Sequence, residues 1–306
     1  MAIYLGIDGG GTKTTCLVGD ERTVLGSATA GGSNMTRWGE ARVREALHTV
    51  VREACAAAGV DAPKINSTCV GLSGAGRPEV RETVARMMAE IVGGRVQVAT
   101  DLETTLEASF GSGPGVITIA GTGSIAYGRD AHGQTARSGG WGLAISDEGS
   151  GQWIGRAAVS AVLGARDAGE EPPLLGSILK AWNLSTLDEL VRHANGSPAP
   201  DFSSLFPVVL QASDAGDHVA IKVLDDAGSE LASLAENVIR RLFGGSGSVP
   251  VAMSGGVFRQ SERVRRVFYN GVIAECSQAC VRTDVVDAVD GALALARKAY
   301  GGSRDY

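Results

Sequence analysis

The hydrophobic positions in the first third of the chain predict alternating strands and helices. Apolar residues are continuous or alternate over residues 2–8, 14–20 and 23–30, which predicts three short strands in a meander. Between residues 39 and 58 they recur at helical spacing instead, which predicts a helix. The same patterns predict four further elements: a strand at 67–74, a helix at 78–92, a strand at 95–101 and a helix at 102–111. This alternation is typical of an α/β fold.

A second copy of the first hairpin follows the Gly-rich segment 111–115. Residues 115–130 have the pattern of a strand, a Gly turn and a strand, as residues 2–20 do. We therefore expect two related hairpins in one chain, and a Gly-rich loop from the second hairpin to residue 151. The remaining patterns predict mostly helices: they lie at 151–165, 172–181, 185–194, 217–243, 259–274 and 285–300, with strands at 249–256 and 278–283.

The composition of the chain is that of a globular protein unusually rich in glycine. Gly occupies 43 of 306 positions, about twice its ordinary share of roughly 7%. The apolar fraction of 44% allows a sizeable core, and the net charge of −6 argues against nucleic acid or an anionic membrane as a partner. The sequence has no signal-peptide pattern and no apolar run long enough to cross a membrane, so we expect a cytoplasmic protein. Five scattered Cys residues fit a reducing compartment.

Three segments place glycines directly after an apolar strand. They are GIDGGGTKT at 6–14, ITIAGTGSIA at 117–126 and VAMSGGVF at 251–258. Gly reaches positive φ and carries no Cβ, so successive N–H groups in such a turn can point at phosphate oxygens. Nearby side chains add donors: those of Thr12, Lys13, Thr14, Thr122 and Ser124. The three segments together predict phosphate binding, although any one of them alone is equally consistent with a plain tight turn.

Two better-known nucleotide-binding loops fit this chain poorly. The Walker pattern requires Gly before its Lys and a helix afterwards, whereas Lys13 follows Thr12 and a strand is predicted next. Residues 121–126 match G-x-G-x-x-A, but a dinucleotide site requires a helix to begin at that turn, and a second strand is predicted there. The sequence therefore favours hairpin turns over either loop.

Three aspartates accompany the predicted turns and strand ends. Asp8 ends the first strand, where a carboxylate would repel phosphate unless a cation such as Mg²⁺ lay between them. Asp101 ends another strand, and a carboxylate there could accept a hydroxyl proton as a general base. Asp147 lies in the Gly-dense segment 139–151. Helix capping stays open as the alternative role of Asp101 and of Asp147.

These motifs, in this order, resemble the N-acetylglucosamine kinase family. The resemblance is carried by DGGGTKT at 8–14, Thr100-Asp101, AGTGS at 120–124, GGWG with DEGS at 139–150, and SGG at 254–256. That family belongs to the BadF/BadG/BcrA/BcrD-type ATPase group, within the superfamily of actin, hexokinase and heat-shock chaperones. The resemblance implies an α/β fold of two ribonuclease-H-like lobes, the actin-like ATPase fold, with ATP and sugar in an interlobe cleft. It also implies that the last helix returns to the first lobe, which gives domains of 1–112 with 285–306, and of 113–284.

The resemblance further implies a role for each motif residue in an ATP-dependent sugar kinase. The glycine turns would bind the phosphates and adenosine of ATP through Gly10, Gly11, Thr12, Lys13, Gly121, Thr122, Gly123, Gly255 and Gly256. Asp8 would help to hold hydrated Mg²⁺, and Asp101 would take the proton from the 6-hydroxyl of the sugar. The matched sugar-binding positions, besides Asp101, are Asn34, Thr122, Gly140, Trp141 and Asp147.

The sequence indicates the type of reaction more specifically than it indicates the sugar substrate or the oligomeric state. Glucosamine and N-acetylmuramic acid kinases share these motifs with the N-acetylglucosamine kinases, which we favour. A non-catalytic sugar sensor of this fold would be expected to lack Asp101 or a phosphate turn, and this chain has both. Dehydratase activators of the same group carry cluster-binding Cys residues, but residues 73–151 contain no Cys. Members of the family are often dimers, so a homodimer stays open.

Overall fold

The computed structural model describes residues 1–244 and 247–301. The chain divides into two compact units. The first unit comprises Met1–Gly113 and the segment that begins at Val286, and the second comprises Pro114–Val285. Each unit is built on one five-stranded sheet. Among the described residues, no helix is both long and apolar enough to cross a membrane.

Strands and helices alternate through both units, largely as the hydrophobic pattern predicts. In chain order the strands are β1 (Tyr4–Gly9), β2 (Lys13–Gly19), β3 (Val24–Gly31), β4 (Ser67–Leu72), β5 (Arg95–Thr100), β6 (Gly115–Ala120), β7 (Ser124–Arg129), β8 (Thr135–Gly139), β9 (Val249–Ser254) and β10 (Ala279–Val286). The helices are α1 (Met35–Ala58), α2 (Pro78–Ala89), α3 (Asp101–Phe110), α4 (Gly151–Asp167), α5 (Pro173–Ala181), α6 (Leu187–Ala194), α7 (Phe206–Asp214), α8 (His218–Phe243), α9 (Gly256–Gln260), α10 (Glu262–Glu275) and α11 (Ala288–Gly301). Short 3₁₀ turns cover Ala62–Lys64 and Phe202–Leu205.

The sheet of the first unit has the strand order β3-β2-β1-β4-β5. The strands β1, β2 and β3 form an antiparallel meander, while β4 lies parallel to β1 and β5 lies parallel to β4. All six residues of β4 are buried, as is typical of a central strand that is covered on both faces. Leu72 of β4 pairs with Gly9 of β1 and with Thr100 of β5, so these three strands end at the same edge of the sheet.

Helices cover both faces of this sheet. One face packs on α1 and α2 through large apolar side chains, which include Leu5, Ile7, Leu47, Val70 and Met87. The other face packs on α11 through a smaller cluster, which includes Tyr4, Cys69, Ala99, Ala292 and Leu293. A Cβ on Gly6 of β1 would lie 2.3 Å from the backbone nitrogen of Leu293, so glycine permits the close approach of this helix. The C-terminal helix thereby completes the core of the first unit.

The second unit repeats the plan of the first. Its sheet has the order β8-β7-β6-β9-β10, with an antiparallel meander of β6, β7 and β8, and with β9 parallel to β6. The predicted duplication of the hairpin is therefore confirmed, and the shared strand order extends to all five strands. The core is larger and more helical, and Phe258 and Phe268 meet in it edge to face, with ring centroids 5.0 Å apart.

The structure corrects some element boundaries and adds a strand, a helix and a 3₁₀ turn. The strand β8 lies in the segment predicted as loop, and only two of its five residues, TARSG, are buried. The helix α7 and the 3₁₀ turn before it also have no counterpart in the hydrophobic pattern. The helix predicted at 259–274 is two helices, because the side chain of Ser261 caps α10. The helix α1 begins at Met35 and kinks at Gly39, where φ is 73°.

Candidate active site

The first glycine turn joins β1 to β2 and rests on the connection between β3 and α1. The carbonyl oxygen of Gly10 accepts a hydrogen bond from the backbone N–H of Ser33 at 3.0 Å. The carbonyl oxygen of Gly11 accepts one from the indole Nε1 of Trp38 at 2.8 Å. In a trans peptide the N–H points away from the carbonyl of the same unit, so the N–H groups of Gly11 and Thr12 face the opposite side of the turn. Successive backbone N–H groups in a turn of this kind can donate to an anion.

The corresponding turn of the second unit joins β6 to β7 and rests on the first residues of α4. The carbonyl oxygen of Gly121 accepts from the backbone N–H of Gly151 at 2.8 Å, and that of Thr122 accepts from Gln152 at 3.4 Å. By the same peptide geometry, the N–H groups of Thr122 and Gly123 point away from α4. The two turns therefore present backbone donors in the same manner.

The glycines of these turns are not needed for unusual backbone angles, and at Gly123 glycine is needed for space. Four of them do not adopt positive φ: Gly10, Gly11, Gly121 and Gly123. The expectation of left-handed conformations in the first two turns is therefore wrong. A Cβ on Gly123 would lie 2.9 Å from Oδ2 of Asp147, whereas no described heavy atom lies within 4 Å of one on Gly121. In the third segment, by contrast, Gly255 has φ 100° and lies against the carbonyl of Ala120.

Asp8, at the end of β1, lies in a negatively charged environment. Burial and the charges of Asp101 and Asp287 raise the pKa of Asp8 from 3.8 to about 7, and Lys13 opposes the rise. No sequence motif contains Asp287, which directly precedes α11. It comes near Asp8 because α11 returns to pack on β1, a long-range contact that local patterns do not encode.

A hydrated cation suits this cluster of carboxylates. In residues 1–244 and 247–301, no three His, Cys, Asp or Glu side chains are placed to hold a metal ion by themselves. Mg²⁺ usually keeps several waters and takes one or two carboxylates together with phosphate oxygens. Asp8, beside a turn whose N–H groups suit phosphate, fits that kind of site, and a positive charge there would relieve the repulsion between the aspartates.

Asp101 is the first residue of α3, but it does not cap the helix. The cap is Thr100, whose hydroxyl accepts from the N–H of Glu103 at 3.2 Å, while the Glu103 carboxylate accepts from the N–H of Thr100 at 2.7 Å. The capping alternative for Asp101 is therefore wrong. Its carboxylate accepts instead from the N–H of Leu102 at 3.1 Å and from the hydroxyl of Ser73. Burial raises the pKa of Asp101, and these two hydrogen bonds oppose the rise.

Ser73 contacts Asp101 and is a candidate site residue that no sequence motif identifies. Leu72 and Thr100 end two parallel strands in register, so the residues that follow them, Ser73 and Asp101, come to lie side by side. The backbone N–H of Ser73 also donates to the carbonyl of Gly9 at 3.0 Å, which ties this loop to β1. A Ser and an Asp at two strand ends were the available signal, but the register that joins them is not readable from the sequence.

Asn34 has a structural role in addition to the predicted sugar contact. Its Oδ1 accepts from the backbone N–H of Arg37 at 3.0 Å and so caps α1. Its amide nitrogen Nδ2 lies on the side of Gly74, 3.8 Å from the position of a Cβ there. The oxygen is engaged by the cap, so the amide nitrogen, which is a donor, is the atom suited to contact a sugar hydroxyl.

Asp147 is buried and held in a strained conformation. It is 5% exposed and has φ 70°, which is uncommon for a residue other than glycine. Its carboxylate accepts from the N–H groups of Ser124 and Gly142, while burial raises its pKa. The helix α4 is capped by Ser150, so the capping alternative for Asp147 is wrong. Strain of this kind is often found at functional sites, which agrees with a binding role.

Trp141 and Gly140 lie in the loop between β8 and α4. The Trp141 side chain is 64% exposed, and the guanidinium of Arg137 lies 3.9 Å from its ring centroid. Gly140 has φ 69°, and a Cβ on it would lie 2.6 Å from Cδ1 of Ile125. Glycine is therefore required at position 140. The exposed indole of Trp141 beside it is an apolar surface that a ligand could contact.

The predicted site residues fall into two groups, one in each unit. The first unit contains Asp8, Gly10, Gly11, Thr12, Lys13, Asn34 and Asp101, and the second contains Gly121, Thr122, Gly123, Gly140, Trp141, Asp147, Gly255 and Gly256. Within each group the residues lie on turns and at strand ends. Gly256 begins α9, and a Cβ on it would lie 3.6 Å from the side-chain nitrogen of Gln260.

Two mixed sheets with the same strand order, each opened by a hairpin with a glycine turn, define an actin-like ATPase fold. The structure matches that of a Chromobacterium violaceum protein to which N-acetylglucosamine kinase activity is ascribed, with a TM-score of 0.76, 28% identity, and coverage of 96% of this chain and 99% of that one. The chain belongs to the BadF/BadG/BcrA/BcrD ATPase family, whose family model matches residues 5–295.

Two relatives cover most of the chain at higher sequence identity. The N-acetylmuramic acid/N-acetylglucosamine kinase of Clostridium acetobutylicum is 34% identical over 262 residues, which cover 84% of this chain and 86% of that protein. The N-acetyl-D-glucosamine kinase of Dictyostelium discoideum is 31% identical over 255 residues, which cover 78% and 80%. The predicted family resemblance and fold class are therefore confirmed.

Proposed function

We propose that the protein is an ATP-dependent amino-sugar kinase that phosphorylates the 6-hydroxyl of N-acetylglucosamine. Asp101 carries this proposal, because its carboxylate stands at a strand end, does not cap a helix, and is oriented by Ser73. The charge of Asp101 also raises the pKa of Asp8, which lies beside the first glycine turn. The proposed base is therefore close enough to the proposed phosphate-binding turn to interact with it electrostatically. The activities named for the two relatives support the class of substrate.

Asp101 acts as the general base in the proposed reaction. Its carboxylate accepts the proton of the sugar hydroxyl while that oxygen bonds to the γ-phosphorus and the bond to the leaving ADP breaks. Such transfers depend on positioning and on charge stabilisation more than on covalent chemistry. Burial raises the pKa of Asp101 and makes its carboxylate a stronger base, while the hydroxyl of Ser73 keeps it oriented.

The glycine turns receive the nucleotide. The phosphates bind to the N–H groups of Gly11, Thr12, Thr122 and Gly123 and to the ammonium group of Lys13. Gly10 and Gly121, whose own N–H groups donate to the carbonyls of Lys13 and Gly123, leave room for the phosphates to approach the backbone. Gly255 and Gly256 lie near the adenosine. Asp8 helps to hold hydrated Mg²⁺, which when bound neutralises charge on the phosphates.

The sugar is bound by complementary polar groups and one aromatic face. Asn34 donates through its amide nitrogen and Asp147 accepts through its carboxylate, while Trp141 offers an apolar surface beside Gly140, with Thr122 also near the sugar. A carboxylate suits a hydroxyl as well as an ammonium group, so Asp147 does not distinguish N-acetylglucosamine from glucosamine. Glucosamine and N-acetylmuramic acid are therefore the alternative substrates.

ADP release tests the activity and the substrate together. Mg-ATP is supplied with N-acetylglucosamine, glucosamine, N-acetylmuramic acid and glucose in parallel, and we expect the highest kcat/KM with N-acetylglucosamine. A higher kcat/KM with another amino sugar would change the proposed substrate but leave the proposed reaction unchanged. If ATP bound normally and none of these sugars were phosphorylated, the chain would be a non-catalytic sensor.

The Asp101→Asn variant tests the proposed base. The amide cannot accept the proton, so we expect kcat to fall by about 10²- to 10⁴-fold while the sugar Kd changes only a few-fold. Asp61→Asn is the matched control, because Asp61 is an exposed aspartate of the same unit and pairs with Lys64 on the surface; its kcat should be normal. A near-normal kcat for Asp101→Asn would refute the base assignment.

A further inference from the structure

We propose that Trp38 is a positioning residue for phosphate binding. Its indole N–H holds the carbonyl of Gly11 and thereby directs the N–H of Thr12 toward the phosphates of ATP. The inference rests on the proposed function, since it takes the first glycine turn as a phosphate-binding turn. No sequence motif assigns a role to Trp38.

The two carbonyl groups of the turn are held in different ways. The carbonyl of Gly10 is held by the backbone N–H of Ser33, so this bond does not use a side-chain donor. Gly11 is held at 2.8 Å by Nε1 of Trp38, and therefore by one particular side chain. The Gly11 carbonyl and the Thr12 N–H belong to one planar peptide, so turning one turns the other. Without the indole donor, the Thr12 N–H loses a restraint on its direction.

The backbone around Trp38 sets the position of the indole. The carbonyl of Asn34 accepts from the backbone N–H of Trp38 at 3.0 Å, and the Asn34 side chain caps the same helical turn. Directly after Trp38, Gly39 has φ 73° and ψ 169°, and the helix kinks. The short turn that carries Trp38 is therefore separated from the rest of α1 and is positioned by its own cap.

The surroundings of the indole leave the N–H directed at the glycine turn. A Cβ on Gly32 would lie 2.6 Å from Nε1 of Trp38 and 2.5 Å from the Gly11 oxygen, so glycine at this position makes room for the bond. The guanidinium carbons of Arg42 and Arg37 lie 3.9 and 4.9 Å from the indole ring centroid. These cation–π contacts restrain the ring and also place positive charge next to the turn.

A comparison of two Trp→Phe variants tests this inference. Trp38→Phe keeps an aromatic ring but removes the donor, and Trp182→Phe is the matched control because its Nε1 donates to Ser204 Oγ at 3.2 Å in the second unit. For each protein, the Kd values of Mg-ATP and of adenosine are measured by competition against one fluorescent ATP analogue, without sugar. Adenosine reports on the nucleoside contacts and does not involve the phosphate turn.

We expect Trp38→Phe to weaken Mg-ATP by about 2- to 10-fold, the usual range for one lost hydrogen bond, while adenosine binding stays unchanged. Trp182→Phe should leave both affinities unchanged. If Trp38→Phe folds poorly, Trp38→Met, which also lacks the donor, should show the same selective loss. Unchanged ATP affinity, or equal weakening of ATP and adenosine, would overturn the inference. Because no sugar is present, an inactive wild type that binds ATP would refute the kinase proposal without affecting this result.

Discussion

At the scale of single residues, the ionised carboxylate of Asp8 opposes the stability of the unit that contains it. Burial and the charges of Asp101 and Asp287 raise its pKa from 3.8 to about 7. The folded protein therefore binds this proton more tightly than the unfolded chain does, and the carboxyl group stabilises the fold at pH below about 4. That contribution is lost as pH rises toward 7, because the ionised carboxylate is desolvated and repelled by its neighbours.

We predict that Asp8→Asn stabilises the Mg²⁺-free protein, and that the gain is larger at pH 8 than at pH 5. A neutral amide avoids the repulsion, and a pKa rise of this size corresponds to at most about 4 kcal/mol of unfolding free energy. Melting curves in EDTA at both pH values measure the gain. Asp287→Asn removes one of the repelling charges and should give a smaller gain of the same sign. A destabilised Asp8→Asn protein at pH 8 would contradict the prediction.

The residues of the candidate site differ in how far the sequence reveals them. Asp8 and Asp101 stand out because each ends an apolar run beside a turn or a strand edge. Ser73 and Trp38 do not stand out. Strand register places Ser73 beside Asp101, and the short helical turn that ends at the Gly39 kink places Trp38 beside the first glycine turn. Contacts between distant segments are what local patterns omit.

At the scale of elements, the contact between β1 and α11 depends on Gly6. We predict that Gly6→Ala destabilises the protein by about 1–3 kcal/mol, since its Cβ would lie 2.3 Å from the backbone nitrogen of Leu293 and backbone cannot easily yield. Gly31→Ala is the matched control, because Gly31 is also in a strand of this sheet and no described atom lies within 4 Å of a Cβ there. Urea unfolding of the two variants measures the difference. Equal midpoints would show that α11 does not pack this closely on β1.

The elements that the sequence predicts well are those with strong periodicity. The helix α8 follows its predicted span of 217–243 closely, because it buries a continuous apolar stripe. The strand β8 is short, polar and at the edge of its sheet, so its alternation is too weak to detect. The break between α9 and α10 is a capping event at Ser261 rather than a change in hydrophobicity. The sequence therefore predicts the elements that form a core more accurately than it predicts edge strands and the boundaries between helices.

At the scale of the whole molecule, the two units differ in how the chain builds them. The second unit is one continuous segment, Pro114–Val285, whereas the first combines Met1–Gly113 with the segment from Val286. In the first unit, one face of the sheet has α11 as its apolar partner, in contact with Tyr4 and Cys69. The helix α3 also packs on this face, against Gly71, but without α11 the part that contains Tyr4 and Cys69 would lose its apolar cover.

We predict that residues 114–285 fold alone, and that residues 1–113 fold only when the α11 segment is supplied. Three proteins test this: 114–285, 1–113, and 1–113 joined to 286–306 by a flexible Gly/Ser linker of about 15 residues. We expect cooperative thermal unfolding for the first and third, and aggregation or a non-cooperative melt for 1–113, because its uncovered sheet face lacks the packing of Ala292 and Leu293. A cooperative melt of 1–113 at the same temperature as the linked protein would show that α11 is dispensable. In that case the Gly6→Ala variant should also be as stable as the wild type, so the two experiments check each other.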